Sequence, residues 1–217
     1  MAREVVLLGK GSLAVQIADW FHADPHHELA RIVPVVPEPT WTDSLIGWAE
    51  AAGVPHVASG DYRDLPGFAE GLAAFDLVFS VFYDKIIRAD FIDSCRRILN
   101  LHNGPLPRYR GVSPINWALK NEEDAHGVTI HEITPGIDDG PIVSQLGYSI
   151  YPELDEVEDV YGRALRYGFA LFEETMPLLD GIVARPQAHA RATYYSSGDN
   201  QRLGERRHFT RERSGEG

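Results

Sequence analysis

Sulfur is scarce in this chain of 217 residues, with one cysteine and two methionines. A lone Cys95 cannot close an internal disulfide, which excludes a disulfide-stapled scaffold and suits a reducing, cytoplasmic setting. It falls in an apolar, helix-like segment, where a buried thiol is the expected state rather than a nucleophile. No run of about 18 apolar residues occurs, so no membrane-spanning helix and no membrane partner is expected. The opening text MAREVVLLGKGS enters a strand pattern at once without a small-residue cleavage site, so no signal peptide is expected. Positive charge is also short: 20 Lys and Arg stand against 32 Asp and Glu, a net charge of −12. Such a surface repels polyanions and argues against broad nucleic-acid contact. Metal-ligand spacing is lacking too. His102, His126, His131 and Glu132 contain no H-x-x-x-H among them, and His126 and His131 lie an odd number of steps apart on one strand, facing opposite sides. No metal is expected.

What is present is ordinary globular composition, 44% hydrophobic and 24% charged, enough for one domain, or one domain with an appendage. Glu4 to Leu8 reads as a buried strand. Gly9-Lys10-Gly11-Ser12 follows as a glycine turn, and Leu13, Ile17, Ala18 and Phe21 repeat at helical spacing. This strand–turn–helix presents backbone N–H groups at a helix N-terminus. Its G-x-G-x-x-A text leaves three options: a plain tight turn, a dinucleotide site, or a turn touching an amine substrate or its phosphates. Against the dinucleotide site, the second strand, Leu29 to Val36, leads into Pro37-Glu38-Pro39, a poor setting for a ribose-binding acid.

Thr40 to Ala52 reads as a helix capped by Thr42 or Asp43 and ended by Gly53. Trp41, on the proline-rich loop before it, is a ligand candidate as well as a packing residue. Val54 to Val57 reads as a short strand, Asp76 to Val81 as a buried one, and Ala89 to about Cys95 as helical. Ser113-Pro114 is a helix start with a capping hydroxyl and a proline at the first position. Gly127 to Ile133 alternates as a half-buried strand, and Ile142 to Ile150 as another. Val157 to Leu179 carries one apolar stripe and reads as a long helix covering a sheet face. Ala184 to Tyr195 reads as extended. Beyond it, Arg202, Arg206, Arg207, His208, Arg211 and Arg213 form either a solvated, disordered tail or a segment folded over an anionic substrate.

The chemistry concentrates between Ile98 and Gln145. A strand pattern ends in Asn100-Leu101-His102, so Asn100 and His102 share a face. Loop residues Asn103-Gly104-Pro105-Leu106-Pro107 follow at once, which puts both side chains at a strand's carboxyl end, where ligands bind in open α/β sheets. A second loop, Pro135 to Pro141, supplies Asp138. An amide, an imidazole and a carboxylate suit acyl transfer.

This arrangement resembles the folate-dependent formyltransferases, in which a strand-end Asn-x-His and an Asp in a Leu/Ile-Asp-x-Gly loop surround the formyl group of 10-formyltetrahydrofolate. The flanking text NLHNGPLPRYRGVSPINWAL, HGVTIHEI and GIDDGPIVSQ is most similar to the branch that formylates nucleotide-linked amino sugars. The resemblance implies a Rossmann-like, mostly parallel α/β sheet with helices on both faces. An antiparallel hairpin extension would follow the catalytic strand, with a catalytic domain over 1–180 and a short C-terminal extension over 181–217. It implies Asn100, His102 and Asp138 as catalytic residues. Tyr83, Asp84, Ile86, Ile137 and Asp138 would line the folate site. Gly9, Lys10, Gly11, Ser12, Trp41, Arg108, Tyr109 and Arg110 would meet the acceptor, with arginine suited to diphosphate. The cofactor implied is 10-formyltetrahydrofolate without a metal, the setting cytoplasmic, and a homodimer compatible. The transfer-RNA-formylating branch carries a further C-terminal domain for which these residues are too few, so that acceptor is not expected. Phosphoribosyl-glycinamide or a hydroxylated ornithine are the other acceptors, although purine-pathway members usually carry serine and leucines where Asn103-Gly104-Pro105 stands. A nicotinamide-binding or non-catalytic module remains the reading from outside the family.

Overall fold

The apolar run Val5-Val6-Leu7-Leu8 has no polar face, so its strand must be covered on both sides. In the computed structural model, which describes residues 2–68, 70–71 and 74–204, it becomes β1 (Arg3–Gly9). Val5 and Leu7 point into one apolar cluster, Val6 and Leu8 into another. The turn at Gly9 is tight: a Cβ there would lie 2.2 Å from the carbonyl oxygen of Val81. Then come α1 (Gly11–Ala23), β2 (His27–Pro34), α2 (Leu45–Ala52), β3 (Leu77–Val81), α3 (Ala89–Asp93) and β4 (Ile98–His102). They are followed by β5 (Arg110–Gly111), α4 (Pro114–Lys120), β6 (Ala125–Glu132), β7 (Ile142–Ser149), α5 (Val157–Thr175) and β8 (Tyr194–Tyr195).

The main sheet has the order β2-β1-β3-β4-β6-β7. The first four strands are parallel; β6 runs antiparallel to β4, and β7 to β6. This is the α/β arrangement the resemblance implied, with the hairpin after β4. The order reverses at β1, which places a crevice at the carboxyl ends of β1 and β3. One face is packed by α1 and α5 around interlocked rings: Phe172 lies 5.1 Å from Trp20, Phe21 and Phe79, centroid to centroid. The other face holds a smaller cluster built on Tyr62, Phe75 and Phe91. No described helix is long and apolar enough to cross a membrane.

Several boundaries depart from the sequence pattern. The helix expected from Thr40 starts only at Leu45, because Glu38 reaches forward and accepts from the Leu45 and Ile46 N–H groups at 2.7 and 3.1 Å. Ser44, not Thr42 or Asp43, is its cap, accepting from the Gly47 N–H. Val54–Val57 contributes only the bridge of His56 to Ile32. Ser113 does not cap α4: it sits at φ 56° and its hydroxyl accepts from the Asn200 amide instead. The long helix stops at Thr175 and tightens into a 3-10 turn, Met176–Gly181, as Pro177 removes a backbone donor. The stretch after Ala184 is not continuously extended. It holds a bridge of Arg185 to Ile142, a 3-10 turn at His189–Arg191, and β8. Cys95 is half-buried, and desolvation pushes its thiol up to about 11, which suppresses the thiolate. Arg206, Arg207, His208, Arg211 and Arg213 lie outside the described residues.

Candidate active site

Alternation along β3, β4 and β6 builds the site. Phe79, Val81, Leu99, Leu101, Val128 and Ile130 all enter the larger cluster. Their neighbours Ser80, Asn100 and His131 therefore point to the opposite face. Register pairs Ser80 with Asn100, Asn100 with His131, and His102 with Thr129. On that face the smaller apolar cluster reaches Val78 and Ile98 and stops, so the next row across the sheet is polar. β6 is buried on both sides. Its alternation separates two buried environments, not core from solvent as the sequence pattern suggested.

The loop between β6 and β7 carries Asp138 back over this row. Asp138 is held at φ 50°, in the left-handed region. One carboxylate oxygen, Oδ2, accepts from the Gly111 N–H at 2.8 Å and lies 3.5 Å from His102 Nδ1; Oδ1 lies 3.5 Å from His131 Nε2. Burial pushes the Asp138 carboxyl up, but the facing His102 and His131 rings and the Gly111 N–H outweigh it. The group is held well below the usual carboxylate range.

Partner chemistry fixes the ring nitrogens. His102 Nε2 sits 2.8 Å from the Tyr109 carbonyl, which can only accept, so that nitrogen is the donor and Nδ1 faces Asp138. His131 Nδ1 likewise donates to the Glu132 carbonyl at 2.8 Å. In the neutral ring its Nε2 accepts from the Asn100 amide at 3.2 Å, and in the protonated ring that nitrogen's N–H faces Asp138 Oδ1. The Asn100 amide is thereby oriented, with its second N–H unclaimed by any of these partners. Below them, Thr129 donates to the Gly104 carbonyl and accepts from the Leu106 N–H and the Gln145 amide, fixing the loop that follows His102.

These groups open on a cavity of about 780 Å³, within the size range of small-molecule sites. Asn100, His102 and Asp138, singled out in the sequence, all line it, as do Tyr83, Asp84, Ile86 and Ile137. Ile86 is 74% exposed and Ile137 45%, an apolar pair offered to whatever enters. Tyr83 presents its ring only, since its hydroxyl donates to the Gly60 carbonyl. At the α1 side, Lys10, Gly11 and Trp41 are on the wall, and Lys10 pairs with Asp84 at 3.6 Å. Gly9 and Ser12 are not on it: Gly9 is pressed against Val81, and Ser12 bonds Thr42.

Arg108, Tyr109 and Arg110 are also absent from the wall, because each side chain is engaged elsewhere. Arg108 pairs with Glu123, and Arg110 donates to Gln187 at 2.6 and 3.0 Å. Tyr109 is 2% exposed, stacked on Tyr195, with its hydroxyl on Glu123. Among the described residues, the ammonium and guanidinium groups on the wall reduce to Lys10 and Lys85. The sequence reading missed His131 as a site member and missed the cavity positions Ser80, Thr42, Tyr161, Tyr194 and Ser196. The signal for His131 was its even step from Thr129. No local signal pointed to Tyr194 and Ser196. Among the described residues no group of three His, Cys, Asp or Glu side chains is placed to hold a metal.

Comparison with known proteins gives three informative likenesses. The methionyl-tRNA formyltransferase of Deinococcus radiodurans is 31% identical over 175 residues, 79% of this chain and 53% of that protein. The solved structure of WlaRD, a sugar 3N-formyl transferase in the presence of dTDP and 5-N-formyl-THF, superposes with a TM-score of 0.79 at 24% identity. That match covers 92% of this chain and 71% of the other. PseJ from Anoxybacillus kamchatkensis is a formyltransferase solved with UDP-4,6-dideoxy-4-formamido-L-AltNAc and tetrahydrofolate. It matches with a TM-score of 0.62 at 27% identity, over 92% of this chain and 88% of that one. The chain spans between 16% and 53% of the length of the first curated relatives it matches. The formyl transferase family model matches residues 67–175, half of the sequence and every strand that builds the polar row. The chain belongs to the formyl transferase family.

Proposed function

We propose that this protein transfers the formyl group of 10-formyltetrahydrofolate to the primary amine of a nucleotide-linked amino sugar. The observation that carries the reading is the convergence of Asn100, His102, His131 and Asp138 on one wall of the cavity. The exposed apolar pair Ile86 and Ile137 suits a flat ring on one side, and Lys10 and Trp41 suit an anionic, ring-bearing acceptor on the other. PseJ, at 27% identity, is described with a nucleotide-linked formamido sugar and tetrahydrofolate.

When bound, the folate supplies the formyl carbon; this chain orients it and moves protons around it. Asn100 never titrates, and its second N–H, on the cavity wall, would donate to the formyl oxygen as that atom gains charge. Such a donor is typically worth ~10²–10³ in rate. His102 Nδ1 takes the proton that the attacking amine must lose. Asp138, held ionised 3.5 Å away, would balance the charge the His102 ring gains, and that ring would then give the proton up to the departing nitrogen.

A second acceptor has its own support: the D. radiodurans relative is named for methionyl-tRNA and matches most of this chain. The net charge of −12 and the pairing of Arg108 with Glu123 and of Arg110 with Gln187 oppose a polyanion there. The deciding assay follows tetrahydrofolate release spectroscopically with UDP-, dTDP- and GDP-linked amino sugars, phosphoribosyl-glycinamide, hydroxyornithine and methionyl-tRNA as acceptors. Turnover is expected with a nucleotide sugar; turnover with only one of the others would reassign the acceptor. In a thermal-shift comparison, folates rather than NAD should protect, by ~2.7 kcal/mol at 100 times Kd. Protection by NAD alone would remove the formyl-transfer reading.

A further inference from the structure

We propose that Gln187, outside the family-matched segment, is a positioning residue for Asp138, so that the strap from Arg185 to Ser197 is a working part of the catalytic site. The inference rests on the formyl-transfer reading for its kinetic consequence, but its geometric content stands alone.

Gln187 is 5% exposed, and its amide is fully used. Its Nε2 donates to two carbonyls of the Asp138 loop, Asp138 itself at 2.8 Å and Gly140 at 2.7 Å. Its Oε1 accepts from Arg110 Nε and a terminal guanidinium nitrogen. The loop it grips holds Asp138 at φ 50°, a conformation that costs a non-glycine residue free energy and persists only where the surroundings impose it. Gln187 is such an imposed contact on the main chain. The side chain is gripped by the neighbouring residue of the same clasp, the Gly111 N–H on Asp138 Oδ2.

The clasp Tyr109-Arg110-Gly111 in turn belongs to the strap. Strand β8 pairs parallel with β5, matching Arg110 with Tyr194 and Gly111 with Tyr195. Arg110 and Val112 N–H groups donate to the Thr193 and Tyr195 carbonyls, both at 2.9 Å, and Tyr109 N–H to the Thr193 hydroxyl at 2.7 Å. The strap is anchored by Tyr195, which stacks on Trp117 at 4.1 Å and takes an amide hydrogen bond from Asn121. One clasp therefore fixes both reacting side chains, His102 through the Tyr109 carbonyl and Asp138 through the Gly111 N–H. The pairing of β4 with β6 brings the two neighbourhoods together, and the clasp adds a direct hydrogen bond to each side chain.

The experiment uses the full chain with Gln187→Glu and Arg110→Ala. Gln187→Glu keeps size and keeps Arg110 as a partner, but removes both hydrogens from the Asp138 loop. A misplacement of a reacting group by about 1 Å costs about 10²-fold in rate. The expected result for Gln187→Glu is a kcat lower by about that factor, with both KM values within about threefold of wild type. Exchange protection of the Gly111 amide, measured by NMR, should fall at least about tenfold as its acceptor drifts. Arg110→Ala, which only frees the far side of the amide, should lower kcat by less in the same pattern and keeps the test available should Gln187→Glu not fold. Unchanged kcat and Gly111 protection in the folded variants would overturn the proposal. So would a loss confined to KM, which would make Arg110 or Gln187 a substrate contact. Wild-type protein inactive with every acceptor would remove the function reading, while the Gly111 exchange would still decide whether Gln187 positions Asp138.

Discussion

His131 shows how much a single ring can do without touching the reacting carbon in any obvious way. Its Nδ1–H is fixed on the Glu132 carbonyl, so in the neutral ring Nε2 accepts from Asn100, and the amide of Asn100 is turned to present a donor to the cavity. His131→Ala should therefore lower kcat by an order of magnitude or so, less than the ~10²–10³ expected of Asn100→Ala, in a steady-state assay of tetrahydrofolate release. Gly104 supports the other ring by lacking a side chain: a Cβ there would stand 2.7 Å from His102 Nε2 and 3.1 Å from the Tyr109 carbonyl. Gly104→Ala should push the ring off that carbonyl and cut kcat by at least tenfold, with the melting temperature little changed in calorimetry. His126 faces the opposite side of β6, donating to the Asn103 carbonyl. Burial pulls its pKa down to about 4 from 6.5. The unfolded chain then binds the proton that the folded one refuses, so stability falls as pH drops from about 6.5 towards 4, by up to about 3 kcal/mol. His126→Gln should flatten that part of a urea-denaturation pH series; an unchanged slope would reject the assignment. Asn100 and His102 were legible in the sequence because a strand ending in a glycine-proline loop announces where side chains emerge. The fates of Arg108 and Arg110 were not, since Glu123 and Gln187 become their neighbours only in the fold.

Among the elements, α2 illustrates a start signal that local text conceals. The expected caps, Thr42 and Asp43, belong to the loop; Glu38, between two prolines, reaches forward to bond Leu45 and Ile46 N–H. Because that loop also presents Trp41 and Thr42 to the cavity, Glu38→Ala should cost about 1 kcal/mol in chemical denaturation and raise the acceptor KM more than the folate KM. Long periodic segments such as α5 were plain from their apolar stripe, as were β1 and β3 from their largely apolar runs. β6 was recognised as a strand but misjudged in burial, because polar residues facing a site and polar residues facing water leave the same alternation. The strap after Ala184 was the least legible element, since two-residue pairings carry no period.

At the scale of the whole molecule, the two faces of the sheet are unequal. The α1 and α5 side is continuous and aromatic, while the other side breaks off at the row Ser80–Asn100–His131. Phe172→Ala, which would empty the junction of Trp20, Phe21 and Phe79, should cost about 3–5 kcal/mol. Ser80→Ala, in the polar row, should leave the unfolding midpoint within about 0.5 kcal/mol of wild type. The asymmetry bears on how acceptor choice can diverge within such a scaffold. On the proposed function, the groups that would meet the acceptor hang from loops and a strap rather than from the sheet, so they can be exchanged piecemeal while the α1 and α5 side goes on holding the frame. A chemist reshaping the specificity of this protein would cut at Trp41, Tyr194 and Ser196 and leave every phenylalanine behind the sheet alone.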